Sequence, residues 1–121
     1  MFIGTGTGFA PLYFQIRALI ERNITSSVRF VFGVRDSSDL FYQTELQAMT
    51  QSLPWLQFTQ YMSRETAPDT VKGYVTDAIT PENIALYQEF YICGSPAMVS
   101  DARAKLESLG VTKEQIRVEQ Y

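Results

Sequence analysis

The stretch Gly4-Thr5-Gly6-Thr7-Gly8 follows a short apolar run at residues 1–3 and precedes Phe9-Ala10-Pro11 and an amphipathic segment. This order is typical of a strand, a glycine turn and a helix with a proline in its first turn. Alternate glycines lack the Cβ atoms that obstruct a sharp turn or the close approach of another group. A helix that begins there presents unpaired N–H groups and the positive end of its dipole. The stretch therefore predicts a site for an anion such as a phosphate or pyrophosphate.

Two interpretations of this glycine stretch stay open at the level of the local pattern. The spacing G-x-G-x-G differs from the G-x-G-x-x-G dinucleotide fingerprint, and no Gly-Lys-Ser/Thr follows it as in a P-loop. The same residues could form only a tight connection between a strand and a helix. Phosphate binding is favoured over that alternative by a small margin.

Bulk composition restricts the class of protein. The 121 residues suit one domain with a proper core, and the net charge of −3 argues against a nucleic-acid partner. Cys93 is the single cysteine, so an internal disulfide framework is excluded and a reducing compartment, the cytoplasm, is expected. Histidine is absent, which removes His-based nucleophile pairs and metal sites. We expect no metal site, no membrane span, and chemistry supplied by a cofactor.

Predicted strands and helices alternate along the chain. The patterns predict strands at 1–3, 28–34, 56–62, 90–93 and 116–119, and helices at 11–23, 43–52, from Thr80-Pro81 onward and at 96–109. Residues 63–72 are expected to form a polar loop, and 73–79 are ambiguous. Alternation of this kind indicates right-handed βαβ units, a parallel sheet and a doubly wound α/β fold. Because the chain begins inside one predicted strand and stops at the end of another, we expect residues 1–121 to be a lobe of a longer protein.

The carboxyl ends of the predicted strands bring several polar residues to one rim, where such sheets bind ligands. Ser63, Arg64, Lys72 and Tyr74 would suit a phosphate monoester with an aromatic base beside it. On the residues alone, scattered polar loop positions are the favoured alternative for these four. The loop after the second strand is where the adenosine ribose of a dinucleotide usually binds. Because this loop carries both Arg35 and acidic residues, it does not decide which kind of ribose would bind there.

Cys93 ends the fourth predicted strand and precedes a turn, Gly94-Ser95-Pro96, that repeats the strand–turn–helix order of the opening. A lone cysteine in an apolar strand is commonly a small core residue, whereas its place on the rim favours a site residue. The two interpretations are about equally supported. Thiolate reactivity is not expected, since the sequence shows no neighbouring His or Lys to lower its pKa.

Taken in order, the motifs of the chain resemble those of the NAD(P)-binding domain of the ferredoxin–NADP reductase superfamily of flavoenzymes. The opening glycine stretch through Pro11 is similar to that family's pyrophosphate loop. The other matching segments are Phe32-Gly33-Val34-Arg35, Asp39-Leu40-Phe41-Tyr42 with Glu45-Leu46, Gly73-Tyr74-Val75-Thr76-Asp77, Cys93-Gly94-Ser95-Pro96-Ala97-Met98 and Glu119-Gln120-Tyr121.

The resemblance implies a five-stranded parallel sheet in the order 3-2-1-4-5 with helices on both faces. It implies hydride transfer between NAD(P)H and FAD or FMN, the flavin being held by a separate N-terminal β-barrel of the same parent chain. Electrons would then pass to a [2Fe-2S] domain, a ferredoxin or an oxygenase. The isolated chain is expected to be inactive without the flavin domain. The alternative is a non-catalytic module that senses nucleotide or docks a partner.

Residue roles follow from the resemblance position by position. The implied catalytic residues, around the nicotinamide and the flavin, are Cys93, Glu119 and Tyr121. The implied cofactor-binding residues are Gly4, Thr5, Gly6, Thr7, Gly8, Pro11, Val34, Arg35, Ser63, Arg64, Lys72, Tyr74, Gly94, Ser95, Pro96 and Met98.

The choice of dinucleotide is drawn in two directions by the resemblance. The 2′-phosphate and adenine site of NADP-using members is similar to Ser63-Arg64 and Lys72-x-Tyr74. The NADH-using oxygenase reductases are similar in three other segments, Gly33-Val34-Arg35, Asp39-Leu40 and Gly73-Tyr74-Val75-Thr76. We favour NADP over NAD by a small margin.

Overall fold

The structure of the protein is a computed structural model that describes residues 1–40 and 42–120, apart from the side chain of residue 120. Phe41 and Tyr121, both part of the motifs above, lie outside the described residues. The strands are β1 Phe2–Thr5, β2 Val28–Val34, β3 Leu56–Met62, β4 Thr70–Lys72, β5 Phe90–Gly94 and β6 Ile116–Gln120. The helices are α1 Phe9–Glu21, α2 Gln43–Ser52, α3 Pro81–Ile84 and α4 Pro96–Ser108.

The six strands form one parallel sheet in the order β4-β3-β2-β1-β5-β6. β1 is central, and its Gly4 pairs with Phe32 of β2 on one side and with Cys93 of β5 on the other. The order β3-β2-β1-β5-β6 confirms the predicted order of five strands. The predicted number of strands is wrong, because β4 adds a sixth at the edge of the sheet.

β4 lies inside the segment 63–72, which the sequence predicted to be a polar loop throughout. Thr70 pairs with Gln60 and Lys72 with Met62 in parallel register. An edge strand of this length needs only backbone pairing on one side, and Val71 between them is 45% exposed. No alternation of buried and exposed side chains therefore marks it in the sequence. The ambiguous segment 73–79 contains a 3₁₀ turn, Val75–Ala78.

Helices cover both faces of the sheet, as the doubly wound arrangement requires. On one face, α1 and α2 pack their buried side chains against the aromatic residues of β2; this core includes Phe9, Leu12, Ile16, Leu46, Phe30 and Phe32. On the other face, α4 and the Val75–Ala78 turn cover the sheet; this core includes Val99, Ala102, Leu106, Ala78, Ile3 and Ile92. Burial of apolar surface on both faces holds the strand ends of the central sheet in fixed positions.

The helix ends follow the local signals in the sequence. Ser95 Oγ accepts a hydrogen bond of 3.3 Å from the backbone N–H of Met98 and begins α4, with Pro96 at its first position. Thr80 caps α3 in the same way, through a 3.1 Å bond from the N–H of Asn83. Within residues 1–40 and 42–120, no helix has the length and apolar character needed to traverse a lipid bilayer.

Candidate functional site

A cleft of about 1130 Å³ opens at the carboxyl edge of the sheet, where the ends of β1, β2, β3 and β5 lie side by side. It runs from the end of β2, across the turn after β1, to the start of α4. This position is the crevice in which doubly wound sheets bind their ligands. Of the predicted cofactor-binding residues, the cleft is lined by Thr5, Gly6, Thr7, Val34, Arg35, Ser63, Tyr74, Ser95, Pro96 and Met98.

The other predicted site residues lie around the cleft rather than on its surface. Gly4, Gly8, Cys93 and Gly94 are buried beneath it, and Pro11 is half-buried in the first turn of α1. Arg64 and Lys72 are exposed near the outer end of the sheet, and Glu119 is exposed on β6. The roles of these residues, and of Tyr121 outside the described part of the chain, remain predictions.

The glycine turn, Gly6–Gly8, joins β1 to α1 as a single 3₁₀ turn. Gly6 has φ of +55°, in the left-handed region that glycine adopts without strain. Gly8 occupies the cap position of α1 and has no side chain to cover the first N–H groups of the helix. No acidic residue stands in the first turn of α1. The N-terminal end of α1, with the positive end of its dipole, therefore lies beside the Gly6 and Thr7 lining of the cleft, an arrangement typical of phosphate sites.

Glycines at the strand ends allow neighbouring side chains to close over the sheet and form the floor of the cleft. A Cβ on Gly94 would stand 2.4 Å from Thr5 Oγ1 and 2.7 Å from Met98 Cε. A Cβ on Gly33 would stand 2.9 Å from Val75 Cγ1. Any larger residue at these two positions would push Thr5, Val75 or Met98 into the space that the cleft occupies.

Backbone pairing beyond the ends of β2 and β3 builds the outer end of the cleft. The N–H of Ser63 donates to the carbonyl of Val34 at 3.1 Å, and the N–H of Arg64 donates to that of Arg35 at 2.8 Å. These bonds set the half-buried Ser63 beside Val34 and Arg35 in the cleft wall. Of the predicted group Ser63, Arg64, Lys72 and Tyr74, the cleft surface includes Ser63 and Tyr74, whereas Arg64 and Lys72 lie outside it.

Tyr74 presents a ring that is 66% exposed to this outer end. Its backbone is held by Asp77, whose Oδ2 accepts a 2.9 Å hydrogen bond from the N–H of Tyr74. Gly73 precedes it with φ of +138°, and a Cβ there would stand 2.4 Å from the same Asp77 oxygen. The conformation of residues 73–77 therefore requires glycine at position 73 and fixes the backbone from which the Tyr74 ring projects.

A cation on α4 anchors the Val75–Ala78 turn from the other side. Lys105 Nζ donates to the carbonyl of Thr76 at 2.7 Å, in a half-buried position. Thr76 and Val75 line the cleft. Because α4 also supplies Met98 to the lining, the bond from Lys105 holds two walls of the cleft at a fixed separation.

Sequence reasoning did not single out Ser38 or Asp101, which line the cleft from the turn after β2 and from α4. Asp39, Leu40 and Ala97, which belong to the quoted motifs but are not among the predicted cofactor-binding residues, also line it. Asp101 stands three residues beyond Met98, so the helical period placed both on one face of α4. Ser38 and Asp39 belong to the Ser37–Asp39 turn, for which the Asp36-Ser37-Ser38 sequence is a local signal.

Glu65 is a further residue that the sequence did not single out. Its Oε1 accepts a hydrogen bond from the backbone N–H of Ser37, which links the β3–β4 connection to the Ser37–Asp39 turn. Hydrogen bonds from Ser37 hold the pKa of the Glu65 carboxyl below its ordinary value. The carboxylate form is therefore the one that ties the two loops together at neutral pH.

Cys93 is fully buried in the core that α1 forms with β1 and β2, and its sulfur takes part in no disulfide bond. Glu119 pairs with it in the parallel register of β5 and β6. The structure thus supports the core-residue interpretation of the thiol. A direct contact between this sulfur and a ligand stays a prediction. The backbone carbonyl of Cys93 lies directly against Gly8 of the glycine turn.

Comparison with known proteins assigns the class of this fold and cleft. The family model described as "Oxidoreductase NAD-binding domain" matches residues 2–104. The chain belongs to this family, and it is an NAD(P)-binding domain of the ferredoxin–NADP reductase superfamily. The resemblance inferred from the motifs is confirmed.

Individual relatives carry the same domain as part of a longer chain. The reductase component of propane 2-monooxygenase from Rhodococcus jostii (strain RHA1) is 34% identical over 128 residues, covering 100% of this chain and 35% of that protein. The ferredoxin–NAD(P)+ reductase component of the naphthalene 1,2-dioxygenase/salicylate 5-hydroxylase systems from a Ralstonia species is 30% identical, covering 98% and 37%. The crystal structure of Amycolatopsis cytochrome P450 reductase GcoB superposes with a TM-score of 0.86 at 28% identity, covering 98% and 36%. The chain therefore spans about a third of the length of these relatives.

Proposed function

We propose that the chain is the pyridine-nucleotide lobe of a flavin-dependent reductase. In this proposal it is the C-terminal lobe of a longer parent protein, and an N-terminal β-barrel of the same parent holds FAD or FMN. Electrons leave the flavin for an iron–sulfur domain, a ferredoxin or an oxygenase. Both sequence relatives are named as reductase components of oxygenase systems, which supports this proposal. The chain spans only about a third of their length, which is consistent with its being one lobe of such a reductase.

The observation that carries the proposal is the cleft built on the glycine turn. The helix N-terminus at its centre suits the pyrophosphate of a dinucleotide, with the Gly6 backbone and the Thr7 hydroxyl beside it. Walls extend from this centre in two directions, toward Tyr74 and toward Met98. One central anion site with two flanking compartments matches a molecule that has two nucleoside ends.

The outer compartment suits the adenosine half. The exposed ring of Tyr74 offers a face on which adenine can stack, and Ser63 and Arg35 line the wall beside it. Arg64 and Lys72 stand just outside and add positive charge within reach of a ribose 2′-phosphate. Because of these residues, we continue to favour NADP over NAD by a small margin.

The inner compartment suits the nicotinamide half. Ser95, Pro96 and Met98 line it at the start of α4, above the buried peptide between Cys93 and Gly94. By family resemblance, Cys93 and Glu119 support the nicotinamide here and Tyr121 stacks on the flavin. The flavin accepts hydride when bound, and the residues of this chain orient the dinucleotide and exclude water from its reacting face.

We place this activity in the cytoplasm. Reduced nicotinamide dinucleotides are supplied there, and a thiol outside any disulfide bond, such as that of Cys93, persists in a reducing compartment.

A binding and turnover experiment on the 121-residue chain tests the proposal. NADH or NADPH should bind saturably, and the chain without added flavin should not oxidise either one appreciably. Gly6→Ala and Gly110→Ala form a matched pair, since both glycines have positive φ and open space where a Cβ would stand. Both variants should lose about 1 kcal/mol of stability, but only Gly6→Ala should weaken dinucleotide binding. Absence of binding, or rapid oxidation without flavin, contradicts the proposal.

A further inference from the structure

Of the four methionines, all of which lie in the described part of the chain, only Met98 contributes to the lining of the cleft. Met1 and Met62 are 5% and 0% exposed, so their sulfur atoms are shielded in the core. Met49 is half-buried on α2, away from the cleft. Met98 is also half-buried, but it lies in the cleft wall at the start of α4. A small reagent that enters the cleft therefore meets this thioether.

The terminal methyl group of Met98 lies at the floor of the cleft, above the end of β5. A Cβ at Gly94 would stand 2.7 Å from Met98 Cε and 2.4 Å from Thr5 Oγ1, so the methyl group and the hydroxyl flank the same point. Thr5 lines the cleft next to Gly6 and Thr7, where the pyrophosphate is proposed to bind. The sulfur of Met98 is bonded to Cε, and it therefore lies close to the proposed phosphate site.

We propose that Met98 is a site of reversible oxidation, at which conversion of the thioether to the sulfoxide weakens dinucleotide binding. This inference rests on the proposed function, since it names a means of regulating the same cleft. The oxidant is hydrogen peroxide, which forms when the electrons of a reduced flavin pass to O2 instead of to an acceptor protein. Peroxide would therefore accumulate when the acceptor is scarce, and its reaction at Met98 would slow the further use of NAD(P)H.

The oxidation step balances without any further reagent. A lone pair of the Met98 sulfur attacks one oxygen of the peroxide, and the S–O bond forms as the O–O bond breaks. The second oxygen takes up the proton of the first and leaves as water. Sulfur loses an electron pair, which the peroxide gains. Methionine sulfoxide reductases reverse the change, so it can regulate binding rather than cause permanent damage.

The sulfoxide changes the polarity of the cleft floor. A flexible, apolar thioether becomes a polar group whose oxygen carries a partial negative charge. Because Met98 lies beside Thr5, that oxygen opposes the negatively charged pyrophosphate of the ligand. Without ligand, water in the open cleft can solvate the oxygen, so the cost falls on the bound state. Dinucleotide affinity should therefore fall on oxidation.

Peroxide treatment of the 121-residue chain and of two matched variants tests the inference. Met98→Leu and Met49→Leu each replace a half-buried thioether by a hydrocarbon of similar size, a change that folded proteins usually tolerate. Peptide mass spectrometry locates the added oxygen, with and without saturating NADH. The NADH dissociation constant is measured before treatment, after it, and after incubation with methionine sulfoxide reductases. Each protein serves as its own reference, because Met98→Leu alters the cleft itself.

Met98 should be oxidised before the other methionines, and bound NADH should slow its oxidation. The treatment should weaken NADH binding about tenfold in the unsubstituted chain and in Met49→Leu, and the reductases should restore it. Met98→Leu should retain the affinity that it had before treatment. Preferential oxidation elsewhere, unchanged affinity after oxidation of Met98, or an equal loss in Met98→Leu overturns the inference while the proposed function stands. If the untreated chain binds neither NADH nor NADPH, the proposed function itself is overturned.

Discussion

Gly8 lies directly against the carbonyl group of Cys93: a Cβ at position 8 would stand 2.1 Å from that oxygen and 2.5 Å from its carbon. Real Cβ atoms do not approach backbone atoms so closely, and neither backbone is a flexible group that could move aside. The start of α1 therefore rests on the end of β5. The glycine turn and the Cys93-Gly94 peptide, which are 85 residues apart in sequence, therefore pack directly against each other beneath the cleft.

Gly8→Ala should lower the free energy of unfolding by about 3 kcal/mol, at the upper end of the usual penalty for overpacking. The added methyl group must push α1 away from β5, so dinucleotide affinity should fall as well. Urea unfolding with fluorescence detection measures the first effect. Gly110→Ala serves as the control, because its cost is one of backbone conformation alone, about 1 kcal/mol. Equal losses in the two variants would show that the contact between Gly8 and Cys93 is not tight.

Tyr74→Ala should weaken NADH binding about tenfold, since stacking of a base on an aromatic ring is worth about 1–3 kcal/mol. Tyr74→Phe keeps the ring and should stay within about twofold of the original affinity. Titration calorimetry with NADH and with AMP separates the adenosine end from the rest of the ligand. A comparable loss in both variants would indicate that the hydroxyl group, rather than the face of the ring, contacts the ligand.

Lys105→Met should lower the stability of the fold by about 1–2 kcal/mol, because the Thr76 carbonyl loses a charge-assisted hydrogen bond. It should also weaken dinucleotide binding, since Thr76 lines the cleft. Lys113→Met, at an exposed position in the turn before β6, should change neither property. Chemical unfolding and NADH titration of both variants provide the comparison. If Lys113→Met lowers stability and affinity as much as Lys105→Met does, the hydrogen bond from Lys105 to Thr76 makes no specific contribution to either property.

Arg64→Ala should weaken NADPH binding about five- to tenfold and NADH binding less than about twofold, because only the 2′-phosphate gains from a nearby guanidinium. Arg103→Ala on the exposed surface of α4 is the control for a general loss of positive charge. The two dissociation constants are measured side by side at one ionic strength. Equal effects on both dinucleotides would contradict the preference for NADP.

The lowered pKa of Glu65 predicts a pH dependence of stability. Its hydrogen bonds from Ser37 lower the pKa in the folded state below the ordinary value of 4.5. The stabilising contribution of the carboxylate is therefore fully present above that ordinary value and is lost as the pH falls through the lowered one. The stability difference between the protein and Glu65→Gln should be constant near neutral pH and should shrink in this acidic range. Thermal unfolding of both proteins across the range measures it, and a parallel pH dependence would refute it.

Much of the fold could be predicted because its signals are local. The Ser95-Pro96 start of α4 and the Thr80 cap depend on residues a few positions apart, and both are found where the sequence placed them. The glycine turn is also present, but it is limited to Gly6–Gly8 because β1 continues to Thr5 and α1 begins already at Phe9. β4 could not be predicted, because a three-residue edge strand is held by backbone pairing with β3 and carries no pattern of burial.

The site divides in the same way. Residues that follow strand ends, such as Thr7, Arg35 and Tyr74, line the cleft as the topology predicts. Contacts between residues that are distant in sequence could not be predicted. Glu65 and Ser37 are 28 positions apart, and Lys105 and Thr76 are 29 apart, so no spacing rule connects them. Cys93 shows what a motif does not determine. The motif identifies its position at the end of a strand, but only the packing of the core shows that its thiol is buried.

Amide chemical shifts of the isotope-labelled 121-residue chain during titration with NADH test most directly whether the cleft binds a dinucleotide. Saturable shifts are expected at the glycine turn, at Tyr74 and Thr76, and at Ser95 and Met98, with a single dissociation constant for all of them. The same titration with Gly6→Ala should require more ligand to reach saturation. Shifts confined to other surfaces, or no saturable shift at all, would contradict the assignment of this cleft as the dinucleotide site.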